Sequence, residues 1–306
     1  MKRKIRNPVS GVKRGGQPSK TKLSILKNRI SLIAIVLIIF LIIIVKDFTG
    51  SIFLQPKDNV NILFYGNNTR VFSLDKKGVD TVVSFSSNAM IPIPGGYGKY
   101  RIGALSKLAN LEKDDAMYKR SFSSAVGAFV DIYFYPSKDE IYYNNNTANY
   151  FLPTFSEIFF DRSNANLVDR IMTFIYFLGK NANSFKLIKT GDGFSASEFN
   201  TDYQGLFYEK TFRDEGDNVQ ILYYQNYDTA NLISQIIDGE GIRVVDISSG
   251  DNLPNKCLLI TSQAKLRSKI TLALKKFFDC DVKVGQTQVS DIILELGSLE
   301  KEWAPK

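Results

Sequence analysis

Histidine is missing from all 306 residues of this chain. That absence excludes Ser-His-Asp and Cys-His catalysis and takes away the commonest nitrogen ligand of a zinc site. Cysteine is nearly missing too, with only Cys257 and Cys280. With no histidine to act as a base for either, neither reads as a nucleophile. Negative charge is absent from the first 46 residues, where Lys2 to Arg29 holds ten basic residues and no acidic one. Polarity then disappears as well: across Ile30–Val45 only Ser31 is polar.

A basic segment followed by an apolar one is an address. Sixteen helical residues span about 24 Å, against a hydrocarbon core of roughly 30 Å. Lys27, Arg29 and Lys46 can reach toward the interfaces, while Phe48, Ile52, Phe53 and Leu54 lengthen the apolar stretch. The pattern predicts a basic cytoplasmic tail over 1–29 and a transmembrane anchor over 30–50, a single pass through the cell membrane. The bulk of the chain is then extracytoplasmic. A cleaved secretory signal is the alternative, but no small-x-small site follows Val45 and the apolar run exceeds a signal's usual core. The net charge of +8 points toward nucleic acid, and it misleads. Without the tail and Lys46, 28 basic residues face 31 acidic ones. The basicity belongs to the address, and nucleic acid is not an expected partner.

Beyond the anchor the pattern is α/β. Asn59–Tyr65 is an apolar run of strand type, and Val71–Leu74 with Val79–Phe85 flank the turn Asp75–Gly78 as a hairpin. Pro92, Pro94, Gly95, Gly96 and Gly98 predict a loop that no strand or helix absorbs. Helices are expected near Ile102–Leu111 and Asp114–Val126, then a strand at Ala128–Tyr135. Leu167, Ile171, Phe174, Ile175 and Leu178 make one apolar face of a helix capped by Asn166, and the reading for that face is core packing. Gly179–Asp217 is polar and irregular, as at a domain edge. After it, strands at Val219–Tyr224, Ile242–Ile247, Leu258–Thr261, Val282–Val284 and Asp291–Leu296 alternate with helices at Thr229–Ile237 and Leu266–Phe278. That alternation predicts a small two-layer α/β domain.

Two stretches resemble one family. The strand followed by Asn226, the helix before Gly241, the strand GIRVV and the closing SDIILELG (Ser290–Gly297) are similar to the C-terminal domain of LytR-CpsA-Psr envelope proteins. Tyr227 follows Asn226 where the family has glycine. The hairpin VFSLDKKGVDTVVSF, the segment NAMIPIPGGYGKYRIGAL and the strand AVGAFVDIYFY resemble the family's catalytic domain in shortened form. The resemblance implies an LCP-like domain over 58–200, a linker over 201–217, a LytR C-terminal-like domain over 218–298 and a tail over 299–306. It also implies transfer of a polyprenyl-pyrophosphate-linked glycopolymer to the cell wall, with arginines on the pyrophosphate and carboxylates holding Mg2+. Planar bidentate cations suit pyrophosphate, and oxygen ligands suit magnesium.

The sequence departs from that chemistry. Ser87 and Asn88 stand where the family has an Arg-Asp pair, and only Asn67, Asn68 and Arg70 occupy the link before the hairpin. Arg101, with Lys99 beside it, is the one matched cation and the candidate pyrophosphate contact. The expected function is therefore a non-catalytic binding or scaffolding module in cell-wall assembly, with no cofactor. Its expected partners are wall glycopolymer, polyprenyl-linked lipid or envelope-assembly proteins. An active transferase, which would need Mg2+, and a recruitment protein of the division complex are the alternatives. Cys257 begins a strand and Cys280 ends the helix after it, an arrangement that brings the two together as a disulfide; two buried free thiols are the alternative.

Overall fold

The computed structural model describes residues 42, 45–143, 152–250 and 254–305. The predicted tail and two thirds of the predicted anchor lie outside the described residues; within the anchor, residues 42 and 45–50 are helical. No helix among the described residues is long and apolar enough to cross a membrane. Residues 50–306 form one compact unit, distinct from 1–49.

That unit is α/β with mixed sheets. Its first sheet comprises β1 (Asn59–Phe64), β2 (Arg70–Asp75), β3 (Thr81–Ser84), β6 (Ile132–Tyr135), β7 (Arg162–Ser163) and β8 (Lys186–Lys189), in the order β7-β6-β1-β2-β3-β8. β1, β2 and β3 run antiparallel, and the parallel neighbours β6 and β8 extend the sheet on either side. Alternation along these strands feeds two cores. Leu63, Val71 and Val83 pack under the helices Leu105–Glu112 and Ala116–Val126. Ile62, Phe64, Phe72 and Val82 pack on the other face with Phe177 of the helix Leu167–Leu178. A sheet covered on both faces needs apolar residues at successive positions, which is why β1 reads as a continuous run.

The second sheet comprises β9 (Asn218–Tyr223), β10 (Arg243–Ser249), β11 (Leu258–Thr261), β12 (Asp281–Val284) and β13 (Ile292–Glu295), in the order β10-β9-β13-β11-β12. The helices Tyr227–Gly239 and Lys269–Phe278 bury Val219, Ile221, Leu259, Ile292 and Leu294. The outer face is polar, with Gln220 donating to Asp246 at 2.7 Å. Asn226 caps the first of these helices by accepting from the Thr229 N–H.

Two expectations need correction. The Pro-Gly segment is not a plain loop: β4 (Met90–Ile93) and β5 (Gly98–Arg101) pair as an antiparallel hairpin. Pro92 is tolerated because a two-stranded ribbon is all edge, and Gly95, Gly96 and Gly98 take the positive φ its turn requires. The second correction concerns Leu167–Leu178, where the helix and its Asn166 cap form as read but the face is reversed. Asp169, Thr173 and Phe177 point inward, whereas Leu167, Ile171, Ile175 and Leu178 are exposed.

Candidate functional site

The hairpin β4–β5 delivers Lys99 and Arg101 to the first core's helical side. Lys99 is exposed, opposite Pro92; Arg101 is half-buried, opposite Met90. The Arg101 guanidinium lies over the Tyr143 ring, 4.7 Å from its centroid, and this cation–π contact fixes its plane. Behind it, Gly103 donates its N–H to the Ser87 carbonyl at 2.8 Å, and its own carbonyl accepts from Tyr142 at 2.8 Å. A Cβ on Gly103 would fall 2.1 Å from the Tyr142 oxygen, so glycine is required for this approach. Tyr65 closes the floor: its hydroxyl donates to the Ile102 carbonyl at 3.0 Å and accepts from the Ser106 N–H at 3.1 Å. Burial pushes that hydroxyl up to about 12, so it stays a neutral donor.

Ser86, Ser87 and Asn88 do not present cations or free carboxylates. Ser86 Oγ donates to Asp192, and the Asn88 side chain reaches the same carboxylate at 3.5 Å. Asp192 thus sets a negative group against Ser86 and Asn88. One carboxylate already accepting two protein donors is not a donor set for magnesium, and no group of three potential metal ligands occurs among the described residues. Arg70 does not help either, because it is buried on the opposite face. There it pairs with Glu157 and lies over the Phe64 ring. Asp80, just before β3, is buried: it accepts from Tyr176 at 2.7 Å and from Lys180 at 2.9 Å. None of the cavities of 380, 80 and 600 Å³ is lined by Lys99 or Arg101.

Cys257 and Cys280 are brought together, with Cα atoms 4.8 Å apart, as a disulfide inside the second core. It joins the start of β11 to the end of the helix Lys269–Phe278.

Sequence reasoning missed a buried ionic group where the two sheets meet. Lys57 Nζ donates to Asp131 and to Glu240, each at 3.0 Å. Glu240 also accepts from the Phe129 N–H, and Asp131 from the Asn61 N–H, both at 3.0 Å. Burial works to lower the Lys57 value, but the two carboxylates outweigh it and hold the ammonium well above the ordinary lysine range. Glu209 adds a second tie by accepting from the Asp58 N–H at 2.9 Å and the Asn59 N–H at 2.7 Å. A cavity of 80 Å³ beside Lys57 is lined also by Lys119, Asp131 and Lys276. Lys119 lies 4.0 Å from the Phe277 ring centroid, and burial pulls it down to about 8. No local signal marks this group, because Glu240 sits in a Gly-Glu-Gly helix stop and Lys57 in a loop.

Compared with protein-family models, with curated proteins and with solved structures, the chain matches none.

Proposed function

We propose that this chain is a membrane-anchored, extracytoplasmic envelope protein of LytR-CpsA-Psr-like design whose α/β part binds rather than transfers. The basic tail, the apolar run and the resemblance of the hairpin and of SDIILELG support the address and the family. The disulfide supports an oxidising compartment.

The observation that carries the non-catalytic reading is the tie of Ser86 and Asn88 to Asp192. Pyrophosphate transfer needs convergent cations and metal-holding oxygens, whereas this corner offers an anion and neutral side chains. The specific observation in favour of surviving transfer is Arg101, whose fixed guanidinium still has exposed surface. The two readings separate when the full chain in vesicles is given a polyprenyl-pyrophosphate-linked glycan, a wall acceptor and Mg2+. Binding without transfer is expected, with affinity reduced in Arg101→Ala. Transfer that disappears in Arg101→Ala would establish the transferase instead.

A further inference from the structure

The reversed helix presents a surface that the site does not explain. Leu167–Leu178 carries only two charged residues, Asp169 and Arg170. Both are spent inside the protein, Arg170 on the carbonyls of Ile158 and Asp161. What remains outside is an apolar stripe at helical spacing: Leu167 54 %, Ile171 41 %, Ile175 57 % and Leu178 70 % exposed. Phe174 continues it into a cluster with Phe155 and Phe159, ring centroids 5.5 and 5.6 Å away, and Phe155 and Phe160 are themselves exposed. Scattered apolar residues on a surface need no explanation, but a contiguous stripe with an aromatic end marks a contact face.

The chain itself says which contact. Asp169, on the buried side of the first turn, accepts from Ser51 Oγ at 2.6 Å and from the Ile52 N–H at 2.8 Å, with the Phe53 N–H at 3.4 Å. The first residues after the apolar run are therefore stapled to the start of this helix. Gly50 lies five residue steps beyond Val45, and five steps extend at most about 17 Å. The stripe is thus leashed within a short reach of the point where the run ends. Its end-to-end length is about 17 Å, that of a short interfacial helix.

We propose that this stripe docks on the lipid surface, with Leu167, Ile171, Phe174, Ile175 and Leu178 entering the headgroup–acyl boundary and holding the α/β part down on the bilayer. The placement rests on residues 30–50 being a membrane anchor. The docked helix lies in the interface plane, apolar side inward, and the staple at Asp169 sets its orientation.

The test uses the full chain in phosphatidylethanolamine–phosphatidylglycerol vesicles with acyl-chain bromine as quencher. Trp303, the chain's one tryptophan, is buried and serves as the baseline. Ile175→Trp and Leu178→Trp each place a reporter on the stripe without disturbing a core. Leu111→Trp, exposed on a helix covering the opposite face of the first sheet, is the control. Bromine should quench the added emission at 175 and at 178 and leave that at 111 unchanged. Flotation after alkaline extraction, read on the same samples, reports the anchor separately. Unquenched reporters on a chain that floats would overturn the docking and leave the anchor standing. Unquenched reporters on a chain stripped off by alkali would overturn both. Quenching on a stripped chain would sustain the docking and remove the anchor. Reporters shielded from bromine and from aqueous iodide, with a doubled sedimenting mass, would assign the stripe to a second copy and overturn the proposal.

Discussion

Lys57 ties the joint between the two sheets by bonding Asp131 and Glu240 at once. A buried ammonium held by two carboxylates is not a large net gain over apolar packing, yet removing it strands both acids. Lys57→Met should therefore cost about 3–5 kcal/mol in denaturant unfolding, and adding Glu240→Gln should recover part of that loss. A full loss unaltered by Glu240→Gln would show that the acids are not what Lys57 serves. Lys119 gives the pH dependence. Its folded value, about 8, lies below the ordinary 10.5, so the unfolded chain binds more protons between those limits. Stability should accordingly rise as pH climbs from about 8 toward 10.5, and the rise should flatten in Lys119→Met, as followed by thermal unfolding at fixed salt. Such buried charges were illegible in the sequence because their partners are far apart, as with Lys57 and Glu240 at a separation of 183 residues. Arg101 and Lys99 could be singled out by position, but no reading of residues shows that Asp192 would tie up Ser86 and Asn88.

At the scale of elements, local chemistry was readable and side was not. The cap of Leu167–Leu178, the β2–β3 hairpin and the strand–helix alternation after Asn218 all follow from turn, cap and period signals. The inward face of Leu167–Leu178 does not. A helix this apolar has two candidate stripes, and Asp169, Thr173 and Phe177 also recur every four residues. What turns that set inward is the backbone of Ser51–Phe53, which needs the Asp169 carboxylate, and the Phe72 ring, which Phe177 meets edge-on at 4.9 Å. The Pro-Gly segment was misread for a simpler reason: the rules against proline in strands apply to sheet interiors, and β4–β5 has none. One glycine carries an element-scale prediction. The helix Tyr227–Gly239 ends so close to the Gly127 turn that a Cβ on Gly239 would fall 1.7 Å from the Gly127 carbonyl oxygen. Gly239→Ala should cost about 1–3 kcal/mol by forcing the helix off that turn, measured as a lower denaturant midpoint at unchanged slope. An unaltered midpoint would mean that the helix end is not packed there.

For the whole molecule, composition and pattern foretold an α/β chain with a charge-poor apolar leash, and the compact unit of residues 50–306 is α/β. The close joining of its two sheets was not foretold. Phe129 stands just before β6 of the first sheet, yet it stacks on Phe277 of the second core at 3.9 Å. The segment 201–217 carries the helix Lys210–Glu215 and buries Phe207, Glu209 and Phe212. Long-range packing of this kind leaves no period or motif behind. The proposed function divides in the same way: the proposed address and the resemblance rest on the sequence alone, whereas the contacts of Ser86, Asn88 and Arg101 are visible only in three dimensions. The claim that joins these scales is that one short anchor carries a folded binding part on the outer side. Protease added to intact cells expressing the chain with an N-terminal tag tests it directly. The account predicts a protected, membrane-bound tagged fragment no longer than the tail and anchor, with residues beyond Gly50 digested once the fold is loosened by reductant. Protection of the entire chain until the cells are lysed, or its recovery as a wholly soluble protein, would contradict it.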